Sequence, residues 1–130
     1  MTTGTMTGLP ANAGRKSDDG QSVRVIAPAA DIVNQGDYCV YEGFHGMDVS
    51  VPKLQTAVDQ EIILQTDGAT YETTQLNPAD PFAVRGALVY YDPANRWLTE
   101  VATGNPIGKV VLAKDANGCI WFRQLPQWNV

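Results

Sequence analysis

Residues 81–125 limit what this chain can fold into more than any other stretch. They hold three apolar runs of strand length, 82–92, 107–112 and 119–125, each bounded by Gly, Pro, Asn or Asp. Their β-branched and aromatic residues suit a pleated, packed surface. Such runs must be buried, and the upstream chain has to supply partners for them.

The upstream segments do so with the same alphabet. Residues 23–26 form a strand that Pro28 ends, because proline cannot donate to a ladder. Residues 38–42 form a second strand, and 43–46 read as a short turn. Residues 47–51 resume a strand with Met47, Val49 and Val51 on one face. Residues 52–60 are a loop or a single helical turn, in which Leu54 and Val58 share a face. Residues 61–66 and 70–74 pair as a hairpin, since Asp67-Gly68 suits the two positive-φ positions of a type I′ turn. Residues 82–91 are one strand bulged at Gly86, or two short strands with a turn. Residues 97–100 make a short strand, and 107–113 and 119–125 make the last hairpin, turned at Asn117-Gly118. Nine or ten short strands with frequent turn signals predict an all-β fold, a compact small β-barrel or β-sandwich. It occupies residues 23–126, with an extended N-terminal arm over 1–22 and a short tail over 127–130. The arm is rich in Gly and Thr and holds only Met1, Met6 and Leu9 as large apolar residues. It reads as a disordered tail or as an arm that orders against a neighbouring subunit. Few lysines defend the last strands, so at least one sheet edge is expected to be covered by another chain.

Composition excludes several function classes. A chain of 130 residues is one domain, and an apolar fraction of 44% is globular. A net charge of -5 with scattered cations, of which only Arg15-Lys16 adjoin, argues against direct nucleic-acid binding. No run approaches the roughly 18 to 20 apolar residues of a membrane span, and no apolar leader opens the chain. The protein is therefore expected to be made in a cytoplasm and to bind no membrane. Cys39 and Cys119 are too few for a disulfide framework and lie in apolar runs, as reduced packing residues do.

No residue pattern for catalysis stands out. His45 is the lone histidine and lies in the expected turn, with no nucleophile elbow, H-E-x-x-H or C-x-x-C in the chain. The carboxylates are spread singly and match no calcium loop, and no zinc spacing occurs. Residues 104–108 hold two glycines but precede a strand, whereas a phosphate cradle needs a helix start. They read as a turn and a tightly packed strand start. No catalytic residue, metal or cofactor is expected. Of the three tryptophans, Trp121 alternates with Ile120 and Phe122, and Trp128 lies beyond Pro126 in a tail that cannot bury it alone.

Several segments carry a resemblance. They are 25–29 (Val-Ile-Ala-Pro-Ala), 32–37 (Ile-Val-Asn-Gln-Gly-Asp), the 43–47 turn, 85–92 (Arg-Gly-Ala-Leu-Val-Tyr-Tyr-Asp) and 104–110 (Gly-Asn-Pro-Ile-Gly-Lys-Val). Over residues 23–125 the chain resembles the tailed-phage capsid cement, or head decoration, proteins. The resemblance implies a non-enzymatic virion protein on the outside of an expanded head. It further implies a homotrimer that clamps neighbouring major capsid protein subunits. Candidate contacts with capsid or subunit are then Met6, Leu9, Arg15 and Lys16 in the arm and Trp128 in the tail. Three other readings stay open: a head-completion or tail-tube subunit, a carbohydrate-binding virion module using Trp97, Trp121 or Trp128, and, last, an enzyme such as a cell-wall hydrolase.

Overall fold

The structure, a computed structural model, describes residues 21–50 and 58–127. These fold as nine strands: β1 (Ser22–Ala27), β2 (Tyr38–Tyr41), β3 (Phe44–Asp48), β4 (Gln60–Gln65), β5 (Thr70–Thr73), β6 (Leu88–Asp92), β7 (Trp97–Thr99), β8 (Gly108–Leu112) and β9 (Ile120–Gln124). The fold is all-β. One sheet has the order β1-β4-β3-β2 and the other β5-β9-β8-β6-β7, with antiparallel pairing throughout both. The four-stranded sheet curls until its edge strands β1 and β2 come into contact, and the Glu42 carboxylate accepts a hydrogen bond from the Ile26 amide at 2.6 Å. That bond occupies one of the open donors on the β1 edge.

Alternation decides which side of each strand is buried. In β9, Ile120, Phe122 and Gln124 face in, while Trp121 and Arg123 face out. In β4, Ile62 and Leu64 face in. The larger core gathers Phe82, Val89, Leu98, Ile107, Ile120 and Phe122 under the five-stranded sheet. A smaller one, with Val25, Cys39, Ile62 and Leu64, fills the curl of the other sheet. Tyr38 belongs to β2 yet packs in the larger core, edge-on to Phe122 with ring centroids 5.3 Å apart. It is a hydrophobic link between the sheets.

Several local expectations are corrected. Of the expected turn at 43–46 only Gly43 turns, and 44–46 is strand: β3 runs from Phe44 to Asp48, where a strand over 47–51 was expected. Gly46 inside it packs against the Gln65 backbone and the Leu64 side chain. The reversal needs only Glu42 and Gly43, both at positive φ (54° and 83°), between the Tyr41–Phe44 and Val40–His45 pairs. That is the type I′ geometry, reached with a glutamate where Asn or Asp is usual. At Asp67-Gly68 only the glycine has positive φ. β4 and β5 lie in different sheets, so residues 66–69 cross between the sheets and close no hairpin. Residues 82–87 form no strand: Phe82 sits at φ 45° and is buried, with its amide bonded to the Glu100 carboxylate at 3.0 Å and its carbonyl to the Lys114 amide. A bulky residue at positive φ is uncommon. Here burial of the ring and both backbone bonds hold it. The last hairpin forms as expected from β8 and β9.

Gly108 opens β8 under the Phe122 ring. A Cβ there would lie 2.7 Å from Phe122 Cδ2 and 2.9 Å from the Arg123 carbonyl. Both neighbours belong to the packed centre of the sheet and have no room to retreat. Gly108→Ala should cost roughly 1–3 kcal/mol through overpacking. Urea unfolding, compared with wild type at the same slope, measures it.

Candidate interaction surface

The strand ladders lapse at two places, and side-chain amides take over there. β3 pairs with β4 only at Met47–Gln65 and Asp48–Leu64. Beyond Gln65 the chain leaves for the other sheet, so the His45 backbone on that side loses its strand partner. Gln127 replaces it: the His45 amide donates to Gln127 Oε1 at 2.9 Å, and Gln127 Nε2 donates to the His45 carbonyl at 2.7 Å. Gln75 does the same at Tyr38 on the β2 edge. It accepts from the Tyr38 amide at 2.7 Å, donates to the Tyr38 carbonyl at 2.9 Å, and also donates to the Arg96 carbonyl at 2.8 Å. Buried backbone groups rarely stay unpaired, and these glutamines explain why they do not here.

Gln124 is the third of the set and the most buried, 3% exposed. Its Oε1 accepts from the Gly68 amide at 2.8 Å. Its Nε2 lies 3.0 Å from the Tyr38 hydroxyl, 3.1 Å from the Gln65 carbonyl and 3.3 Å from the His45 carbonyl. One β9 side chain thus touches β2, β3, β4 and the 66–69 crossing. His45 completes the cluster. Its Nε2 is 3.2 Å from the Pro126 carbonyl, which can only accept, so Nε2 carries the proton. Nδ1 then accepts from the Tyr38 hydroxyl at 2.6 Å. Burial holds His45 below its ordinary pKa, partly offset by the bond to Pro126. Burial also pushes the Tyr38 hydroxyl far up, against the bond from Gln124, so it stays protonated as the donor.

The crossing is fixed by Asp67. Burial alone would raise this carboxyl, but bonds from the Tyr71 hydroxyl, the Ala69 amide and Gln65 Nε2 together hold it below the usual range.

This cluster also sets where the chain ends leave. The Thr66 amide donates to the Gln21 carbonyl at 2.7 Å, and Ser22 pairs with Gln65. Gln65 and His45 both meet Gln124, and His45 holds Gln127. Residues 21 and 127 therefore leave from one corner of the molecule. His45 is enclosed, and burial in the smaller core pushes the Cys39 thiol up to about 12. Among the described residues no group of His, Cys, Asp and Glu gathers as a metal site, and both cysteines are free.

A match to the phage cement protein family covers residues 17–124. The chain belongs to that family. No curated protein and no solved structure matches it. Family membership gives the chain a structural role at the phage capsid.

The contacts expected from sequence, Met6, Leu9, Arg15, Lys16 and Trp128, all lie outside the described residues. So does most of the expected loop 52–60; its last residue, Gln60, already belongs to β4. Trp97 is half-buried, and Trp121 is exposed at 45%. His45, expected in a turn, is a fully buried strand residue. Gln75, Gln124 and Gln127 were not singled out by sequence. The one signal available was the inward phase of Gln124 in the Ile120–Phe122 alternation.

Replacing Gln124 by leucine would strand the Gly68 amide and the Gln65 carbonyl. Gln124→Leu should cost roughly 2–4 kcal/mol in urea unfolding. For His45 the sign follows from its lowered pKa. Above the ordinary histidine value of 6.5, folded and unfolded chains are both neutral at this site. As pH falls below that, the unfolded chain takes up the proton first, so stability is lost towards the folded-state value. Thermal melts should show Tm falling from about pH 7 to pH 5, with a shallower fall in His45→Asn.

Proposed function

We propose that this cement protein binds the outer surface of the expanded phage head and clamps neighbouring major capsid protein subunits, acting as a homotrimer and without catalysis. The observation that supports this reading best is the shared exit of both chain ends. Residues 1–20 carry Met6, Leu9, Arg15 and Lys16 and lead directly into β1, and Trp128 follows the anchored Gln127. The two sticky segments are thus tethered to one rigid corner. Twenty residues of extended chain reach at most about 66–72 Å, enough to pass beyond one subunit.

The physical mechanism is multivalent attachment. Each segment alone would bind weakly. Once one contact forms, the others act at high effective concentration, and a trimer multiplies the gain. Ordering the segment costs conformational entropy, so binding depends on several contacts engaging together.

Deletion of residues 1–20 leaves the Gln21–Thr66 bond and β1 intact. The truncated protein should keep its circular dichroism and Tm within a few degrees. On purified expanded heads its occupancy should fall by about tenfold or more. Undiminished occupancy would remove the segment from the clamp.

A further inference from the structure

The outer face of the five-stranded sheet presents two adjoining rows of exposed side chains. Antiparallel partners face the same way, so the register sets Thr70, Arg123, Lys109 and Leu88 side by side across β5, β9, β8 and β6. The neighbouring row is Glu72, Trp121 and Leu112. All seven are exposed, with Trp121 at 45%, Leu112 at 44% and Leu88 at 38%. Two features of this face run against stability in the free protein. Large apolar side chains stand in water beside one another. Arg123 and Lys109 are directly opposed like charges, an arrangement that costs stability.

Neither cation is neutralised within the described chain. Arg24 pairs with Glu61 at 3.0 Å, Arg96 donates to the Ile32 carbonyl, and the Lys114 ammonium donates to the Asp80 carbonyl. Lys109 and Arg123 have no such partner among the described residues. The contrast with the four-stranded half is sharp. Residues 21–50 and 58–66 carry Asp31, Asp37, Glu42, Asp48, Asp59 and Glu61 against Arg24. The face sets Lys109 and Arg123 against a single carboxylate, Glu72, and so is locally positive on a chain of net charge -5.

The geometry points to this face as a second docking surface, for a partner that sets carboxylates against Lys109 and Arg123 and an apolar side chain against Trp121 and Leu112. Resting on the cement reading, that partner is the shell's own subunit surface. Charge complementarity selects it, since two like cations side by side are relieved only by acidic groups. A second copy stacked face to face would bring only one carboxylate, Glu72, to two cations, leaving a cation unmatched. Continuity supports the same assignment: Arg123 immediately precedes Gln124, so this row begins at the corner where residues 21 and 127 leave. One approach to the shell engages the corner and the face together.

Arg123→Glu separates function from folding. It turns the Arg123–Lys109 clash into an opposite-charge pair, so the free protein should gain about 1–4 °C in Tm. Its occupancy on purified expanded heads of the encoding phage should fall about tenfold or more, and wild-type occupancy should fall as salt is raised. Trp121→Ser should lose binding at unchanged Tm. Equal binding by wild type, Arg123→Glu and Trp121→Ser would overturn the assignment. A wild-type assembly in sedimentation that Arg123→Glu dissolves without heads would overturn it too, giving the face to a second copy. Wild type that binds no head would instead overturn the cement reading itself.

Discussion

Side-chain amides hold this molecule together where its ladders stop. A small all-β protein with two separate cores has few ways to lock one sheet on the other. Hydrophobic contact is non-directional and would let the sheets slide. Gln75, Gln124 and Gln127 each carry a donor and an acceptor in a fixed plane, as a peptide group does, and substitute for a missing strand. Their positions are therefore specified to within a hydrogen bond. Tyr38 and His45 join the set and leave no slack in its centre.

That rigidity is what gives the family role a physical form. A protein that clamps its neighbours, as proposed here, would need its contacts carried by a body that does not yield. The corner built on Gln124 ties four elements and fixes both chain exits. On the proposed clamping role, segments that leave from this point would transmit load into both sheets. The same segments on a frayed strand end would only unravel it.

The sequence showed the strands well and the joints poorly. Alternation in 119–125 and the Asn117-Gly118 turn predicted β9 and its hairpin, because burial on one face writes a two-residue period. The Asp67-Gly68 pair misled, since local turn chemistry is the same whether the next strand pairs with the last or crosses to another sheet. Glu42-Gly43 was missed because a glutamate rarely accepts positive φ, and the gain of the β2–β3 ladder and the bond to Ile26 outweighed that cost. The glutamines gave little sign. A polar residue in an apolar run reads as exposed until the backbone it must satisfy is known. The Lys109–Arg123 clash likewise needs the register, which no local pattern states.

The central claim is that this chain works by holding, with its terminal corner and basic sheet face turned to the shell. An electron cryo-microscopy map of expanded heads carrying the protein tests it most directly. The account predicts density outside the shell with residues 21 and 127 at the capsid surface and Trp121 covered. Residues 21, 127 and Trp121 all pointing to solvent, with the four-stranded sheet on the shell, would contradict it.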